Sequence, residues 1–329
     1  MSTPLLSMEE IRVRYGSKKQ PLWAVDGISL ELFPGETLGV VGESGSGKST
    51  LGRILTRLEP ASQGSYTFEG EEVSALSKKK EAEFRRKVQM IFQDPYGSLD
   101  PKMRVGEIIR EPMDALRMGT LSQRDERVGE IMEKVGLRRA DASKYPHQFS
   151  GGQRQRISIA RALITTPRVI VCDEAVSALD VSIRSQVLNL LKQVQRDFGV
   201  SYVFISHDLS VVHYMSDRIA VMYMGKVMET GTCQDLYEKT SHPYTHTLIS
   251  AIPDLDNRQK ERILLRGEPP SARRLPPGCR FHTRCPLADN KCQTAEPLLQ
   301  ETEPGHYVAC HRAPVSLAEL ATAVTSSIS

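Results

Sequence analysis

Residues 42–50 read GESGSGKST, a match to G-x-x-x-x-G-K-[ST] that leaves few folds open to the chain. The apolar run Thr37–Val41 precedes it, and Leu51, Ile54, Leu55 and Leu58 recur behind it at helical spacing. The loop is therefore expected to join a buried strand to an amphipathic helix. Gly42, Gly45 and Gly47 carry no Cβ, so the N–H groups of Glu43, Ser44, Ser46 and their neighbours can turn inward onto a polyphosphate. The following helix start adds roughly half a positive charge there. Lys48 is then placed to reach the β- and γ-phosphates, and Ser49, next to Thr50, to hold Mg²⁺ with its hydroxyl. A chain with this loop in this setting binds a nucleoside triphosphate.

The 329 residues suffice for one large or two modest domains with a substantial core. The 43 basic and 40 acidic residues are interspersed, so charge gives no support for nucleic acid as a partner. No apolar run approaches the roughly 20 residues that cross a bilayer. The first residues, MSTPLLSMEE, lack the basic start and apolar stretch of a secretion signal. Secretion is not expected, and in a reducing compartment the thiols that crowd the end of the chain point to a metal more than to disulfides.

Upstream of the loop, Ile28, Leu30 and Leu32 alternate with Ser29 and Glu31, the pattern of a half-buried strand, and Tyr15 is placed to stack on a nucleobase. Downstream, residues 60–87 read as a hairpin and a charged helix. VQMIF then delivers Gln93 to a strand end, where its amide suits Mg²⁺ or a water. Residues 107–137 are helical in character, with Ser122 and Asp125 spaced as a capping box. FSGGQ (residues 149–153) opens another helix. Ser150 can cap it, and Gly151-Gly152 exposes a second anion-binding set of N–H groups ahead of Gln153. The apolar strand VIVC ends in Asp173, within reach of the Mg²⁺ on Ser49, and Glu174, which is suited to act as general base on a water. SALD closes on Asp180, and a further apolar strand ends at His207, expected beside the γ-phosphate or the water.

Tyr15, the phosphate loop, Gln93, FSGGQ, the strand ending in DE, SALD and His207 arrive in the order and spacing of the ATP-binding-cassette (ABC) ATPases. The chain resembles that family from about Leu5 to Gly231. The resemblance implies an α/β fold: a RecA-like phosphate-loop core, an antiparallel β subdomain and a helical subdomain at about 94–165. It implies ATP and Mg²⁺ as ligands and a head-to-tail pair of cassettes in which Ser150, Gly151 and Gly152 of one close on the ATP held by Lys48 of the other. The roles carried over are Tyr15 on adenine, Lys48 on phosphate, Ser49, Gln93 and Asp173 around Mg²⁺, Glu174 as base, His207 as γ-phosphate sensor and Asp180 bridging the pair. Ala175-Val176 stand where many members have Pro-Thr.

The remainder resembles the C-terminal extension of oligopeptide and dipeptide importer ATPases, closely that of dipeptide permeases. It includes HPYT from His242, the stretch RGEPPSARRLPPG and two cysteine-bearing segments. The expected organisation is a nucleotide-binding domain at 1–250, a linker at 251–278, a small cysteine-rich domain at 279–312 and a tail at 313–329. The cysteines read C-x5-C-x6-C-x17-C, and local chemistry leaves Zn²⁺ and an iron–sulfur cluster both open. The resemblance favours a [4Fe–4S] cluster on Cys279, Cys285, Cys292 and Cys310. It further implies a subunit peripheral to the cytoplasmic face of the inner membrane. That subunit would pair with a paralogous ATPase and two permeases, served by a peptide-binding protein. A nickel importer or a soluble phosphonate-metabolism complex is the alternative setting.

Overall fold

The computed structural model describes residues 3–17, 20–94, 96–252, 263 and 267–326. Pro95 and nearly half of the expected linker, residues 253–262 and 264–266, lie outside them, as do residues 327–329 of the tail. Strands β1 (Leu6–Ser17) and β2 (Gln20–Leu32) pair antiparallel as their alternation predicts. β3 (Thr37–Val41) feeds the phosphate loop and helix α1 (Lys48–Leu55). The helix stops at Leu55, so Leu58 does not continue its buried face and stands 54% exposed. β4 (Gln63–Phe68) and β5 (Glu71–Glu72) form the expected hairpin, and α2 (Lys78–Lys87) and β6 (Val88–Ile91) follow.

The helical layer holds α3 (Val105–Ala115), α4 (Leu121–Lys134) and α5 (Gly151–Leu163). α4 is capped by Thr120 and Gln123, whose side chains exchange bonds with each other's N–H groups. The expected box at Ser122 and Asp125 does not form, because the helix begins one residue before Ser122 and Asp125 pairs instead with Arg110. β7 (Val169–Asp173), α6 (Val181–Phe198), β8 (Ser201–Ser206), α7 (Leu209–Met215), β9 (Arg218–Tyr223) and β10 (Lys226–Thr232) complete the core. α8 (Cys233–Glu238), α9 (Pro243–Ser250), α10 (Asn290–Thr294), β11 (Gln300–Glu303), β12 (His306–Val308) and α11 (Leu317–Ser326) follow.

Two sheets result. The smaller is ordered β2-β1-β4-β5. The larger is ordered β11-β12-β10-β9-β3-β8-β7-β6, parallel from β9 to β6 and antiparallel beyond. Its central strands are apolar throughout because both faces are covered. Val169, Val171, Val203 and Ile205 pack towards α1 and the small sheet, whereas their neighbours Ile170, Cys172, Tyr202 and Phe204 pack towards the helical layer. Each such fully buried aliphatic side chain contributes about 1.5–3 kcal/mol. All the parallel strands run one way, so β3, β7 and β8 end at one edge and release the phosphate loop, Glu174 and His207 together there.

The C-terminal region corrects an expectation. It is not a separate cysteine-rich domain: only a small apolar cluster of Leu287, Val315 and Leu320, with Cys285 and Cys310 against it, stands apart from the main core. β12 pairs antiparallel with β10, so β11 and β12 extend the large sheet. Cys279, Phe281 and Cys292 sit in the same apolar cluster as the helical layer. A buried polar node fastens the join. The carboxylate of Glu229, in β10, accepts from His306 Nε2 at 2.8 Å, Ser241 N at 2.8 Å and His242 N at 3.1 Å. That bond holds the His306 imidazole above its usual pKa. Among the described residues no helix is long and apolar enough to cross a membrane.

Candidate nucleotide site

The phosphate loop turns on Gly47, whose φ of 101° lies in the left-handed region and which has no room for a Cβ: one would stand 2.1 Å from the Ala24 carbonyl oxygen. The turn folds Lys48 back into its own loop. Its Nζ donates to the carbonyls of Gly42 (2.8 Å) and Glu43 (2.9 Å) and to Ser46 Oγ (3.3 Å). Burial pushes the ammonium below the usual lysine pKa, while the nearby carboxylates of Glu174, Asp173 and Glu43 push it up. A buried cation that rests on carbonyl oxygens can be drawn off by a phosphate, which offers a full negative charge in their place.

One residue on, Ser49 Oγ donates to Asp173 Oδ1 at 3.0 Å. Burial raises the Asp173 carboxyl above the usual range, against the Ser49 hydrogen bond. A hydroxyl and a buried carboxylate at this spacing, with the amide of Gln93 nearby, form a hard-oxygen set suited to Mg²⁺ that keeps most of its shell for phosphate and water.

Glu174 follows β7 with φ 48°, an uncommon conformation for a side chain larger than glycine. Its N–H donates to Ile205 O, fixing the turn against β8. Both carboxylate oxygens are engaged: Gln93 Nε2 donates to Oε2 at 2.7 Å, and His207 Nδ1 lies 3.2 Å from Oε1. Three residues chosen from three separate strand ends therefore meet at one carboxylate. They line a cleft of about 770 Å³ with Tyr15, Trp23 and the loop residues Ser44, Gly45, Gly47, Lys48, Ser49 and Thr50. Tyr15 is 36% exposed at its mouth, and burial with a hydrogen bond to Glu59 raises its phenol pKa.

The second helix start stands apart. Ser150 and Gln153 form a reciprocal cap on α5, with Gln153 N donating to Ser150 Oγ at 3.4 Å and Ser150 N to Gln153 Oε1 at 3.0 Å. Asp180 caps α6 by accepting from Ile183 N at 2.9 Å, a bond that lowers its pKa. Neither Ser150, Gly151, Gly152 and Gln153 nor Asp180 lines the cleft of the chain that carries them.

A second cleft, about 710 Å³, shares Ser49 and Gln93 with the first and opens between the parallel sheet and α3. The exposed Leu58 and Phe92 are among its lining residues. Its walls come from five separate segments, at α1, β6 and its flanks, α3, α5 and the end of β7.

The iron–sulfur expectation is overturned. Among the described residues no group of three or more His, Cys, Asp or Glu is placed to hold a metal ion, so neither a [4Fe–4S] cluster nor zinc has its ligands. Cys279, Cys285, Cys292 and Cys310 are free thiols. Burial pushes Cys279 up to about 11 and Cys285 up to about 12. His282 bonds to Cys279 O, His306 to Glu229 and His311 to Ala295 O, each through one ring nitrogen.

Comparison with known proteins agrees with the cleft. Residues 25–177 match the family model "ABC transporter" and residues 228–292 match "Oligopeptide/dipeptide transporter, C-terminal region". The chain is 51% identical over 313 residues to the putative oligopeptide transport ATP-binding protein YkfD of Bacillus subtilis, covering 94% of this chain and 95% of that protein. It is 46% identical over 316 residues to the dipeptide transport ATP-binding protein DppF of Haemophilus influenzae, covering 94% and 97%. Among solved structures it is similar to the ATP-binding cassette MJ0796 in a dimeric post-hydrolysis state bound to ADP and Pi. The TM-score is 0.63 at 27% identity, over 69% of this chain and 98% of that one. The two family models and these relatives together show that the chain belongs to the ABC transporter ATPases that carry the oligopeptide/dipeptide transporter C-terminal region.

Proposed function

We propose that this ATPase energises the import of dipeptides or oligopeptides, as a peripheral subunit on the cytoplasmic side of two membrane-spanning permeases. The single observation that carries the chemistry is the Glu174 carboxylate, held between Gln93 and His207 at the closed end of the phosphate-loop cleft. The names of the relatives carry the cargo.

In this reading the adenine stacks on Tyr15 at the cleft mouth, for about 1–3 kcal/mol. Lys48 leaves the carbonyls of Gly42 and Glu43 for the β- and γ-phosphates. Ser49, Asp173 and the amide oxygen of Gln93 would hold Mg²⁺, which would supply positive charge to offset that of the phosphate oxygens. Glu174 takes a proton from a water as its oxygen bonds to the γ-phosphorus. The bond from that phosphorus to the β–γ bridging oxygen breaks, and ADP leaves with the electron pair. His207, beside the same carboxylate, is suited to sense the γ-phosphate.

The helix start at Ser150–Gln153 does not line its own cleft, which supports the reading that it serves a second cassette, a paralogous ATPase, with Asp180 at the junction. Closing the pair on ATP and reopening it after hydrolysis would move the cleft bearing Leu58 and Phe92, which suits a permease helix. The domain plan of a nucleotide-binding unit at 1–250, a linker at 251–278 and a C-terminal extension from 279 belongs to this reading.

Purification of the chain with its membrane partners, followed by reconstitution in vesicles, tests it. Labelled dipeptide should accumulate only with ATP and a loaded binding protein. Transport of nickel instead of peptide, or a complex without any membrane-spanning subunit, would refute it.

A further inference from the structure

The C-terminal region reaches the phosphate loop itself. Arg284 lies 241 residues from Glu43, yet its Nη1 donates to Glu43 Oε2 at 2.7 Å. Tyr244, at the first turn of α9, accepts the Glu43 N–H on its hydroxyl at 2.9 Å. Glu43 is the residue whose carbonyl, with that of Gly42, receives the Lys48 ammonium. The carboxylate of one loop residue is thus held by the extension and its amide by α9, while its carbonyl holds the lysine.

The two holders are themselves fixed. The Arg284 side chain is 7% exposed, and its Nη1 also lies 3.4 Å from the Tyr223 hydroxyl. The rings of Tyr223, Tyr244 and Phe281 pack with centroids 4.8–5.4 Å apart, all at most 1% exposed. A second clamp lies on the neighbouring wall. Arg280 Nη1 donates to Met224 O at 2.7 Å, and its other nitrogen pairs with Asp26. Met224 and Ala272, the latter from the segment that leads into the extension, line the nucleotide cleft.

We propose that Arg284 is a positioning residue for the nucleotide: acting through Glu43, and with Tyr244, it sets the phosphate-loop backbone from which Lys48 engages ATP. The inference rests on the reading of this loop as the ATP site. Groups that hold a loop in its bound geometry lower the cost of ordering it on binding, so their loss falls on affinity. A structural brace would instead lower thermal stability and leave affinity alone.

The test is equilibrium titration of the full-length chain with the fluorescent nucleotide mant-ATP and Mg²⁺, read beside the melting temperature. Arg284→Ala should weaken binding about tenfold, a loss the size of one charge-assisted hydrogen bond. Arg284→Lys should recover most of it. Glu43→Ala should weaken binding to a similar degree, and the double variant should bind no worse than the weaker single variant. Should Arg284→Ala fail to fold, Glu43→Gln and Tyr244→Phe, which leave the arginine in place, are each expected to weaken binding about threefold. Unchanged affinity with a lowered melting temperature would overturn the proposal, as would losses that multiply in the double variant. Failure of the wild-type chain to bind mant-ATP would overturn the nucleotide reading as well, an outcome distinct from wild-type binding that the variants share.

Discussion

Glu174→Gln is expected to bind MgATP as the wild-type chain does and to lose turnover by a factor of about 10²–10⁴. The amide keeps the shape of the carboxylate, whose Oε2 accepts from Gln93 at 2.7 Å and whose Oε1 lies 3.2 Å from His207, and its one oxygen can still accept from Gln93. It cannot take a proton from water. Nucleotide titration and phosphate release measured on the same preparation separate the two effects. Turnover near that of the wild type would remove Glu174 from the role of base, and His207 would then be the group to test.

Gly151→Asp is expected to leave folding and MgATP binding intact and to reduce turnover of the assembled pair by about 10²-fold or more. A Cβ on Gly151 meets nothing closer than Leu179 Cδ2 at 3.9 Å, so the chain itself has room for a side chain there. Gly152 differs, since a Cβ on it would stand 2.5 Å from Ile183 Cγ2 and disturb the packing of α5 on α6. The two glycines thus have separate reasons to be glycine: Gly152 for packing within the chain, Gly151 for something outside it. A carboxylate at the start of α5 would place a negative charge against the approaching γ-phosphate of the other cassette, where donors to developing charge are worth about 10²–10³ in rate. Unimpaired turnover would mean that the helix start touches no nucleotide. A collapsed melting temperature would mean that Gly151 serves the fold.

The central strands were legible because burial on both faces writes itself as an unbroken apolar run. VIVC and YVFI divide residue by residue between the two apolar clusters. The loop at 42–50 was legible because its glycines, lysine and hydroxyls are contiguous, and the meeting of Ser49 with Asp173 follows from parallel strands that end at one edge. Beyond that, the sequence carried little warning. β11 is exposed along its whole length and reads QETE, with no apolar alternation to mark a strand, so its place on the large sheet left no trace in the pattern. Counting cysteines suggested a metal-held domain. The chain instead puts Phe281, Cys279 and Cys292 into the main core and gives the extension a sheet to join. Contacts from Arg284 and Tyr244 to Glu43 span more than 200 residues, and no local spacing rule reaches so far. The positive φ of Glu174 was equally hidden, for glutamate has no preference for that region and takes it only where the strand end and Ile205 O require it.

All of these features converge on one claim, that each chain owns half of a composite pocket: a loop and a base that lack the second helix start, and a helix start with no nucleotide of its own. The most direct measurement is ATP turnover per chain of the purified wild-type protein, followed on dilution while its mass is monitored by light scattering. The account predicts a turnover that falls towards zero as the monomer becomes the sole species, and that rises when a second cassette able to pair with it is added. A monodisperse monomer that hydrolyses ATP at an undiminished, concentration-independent rate would contradict it.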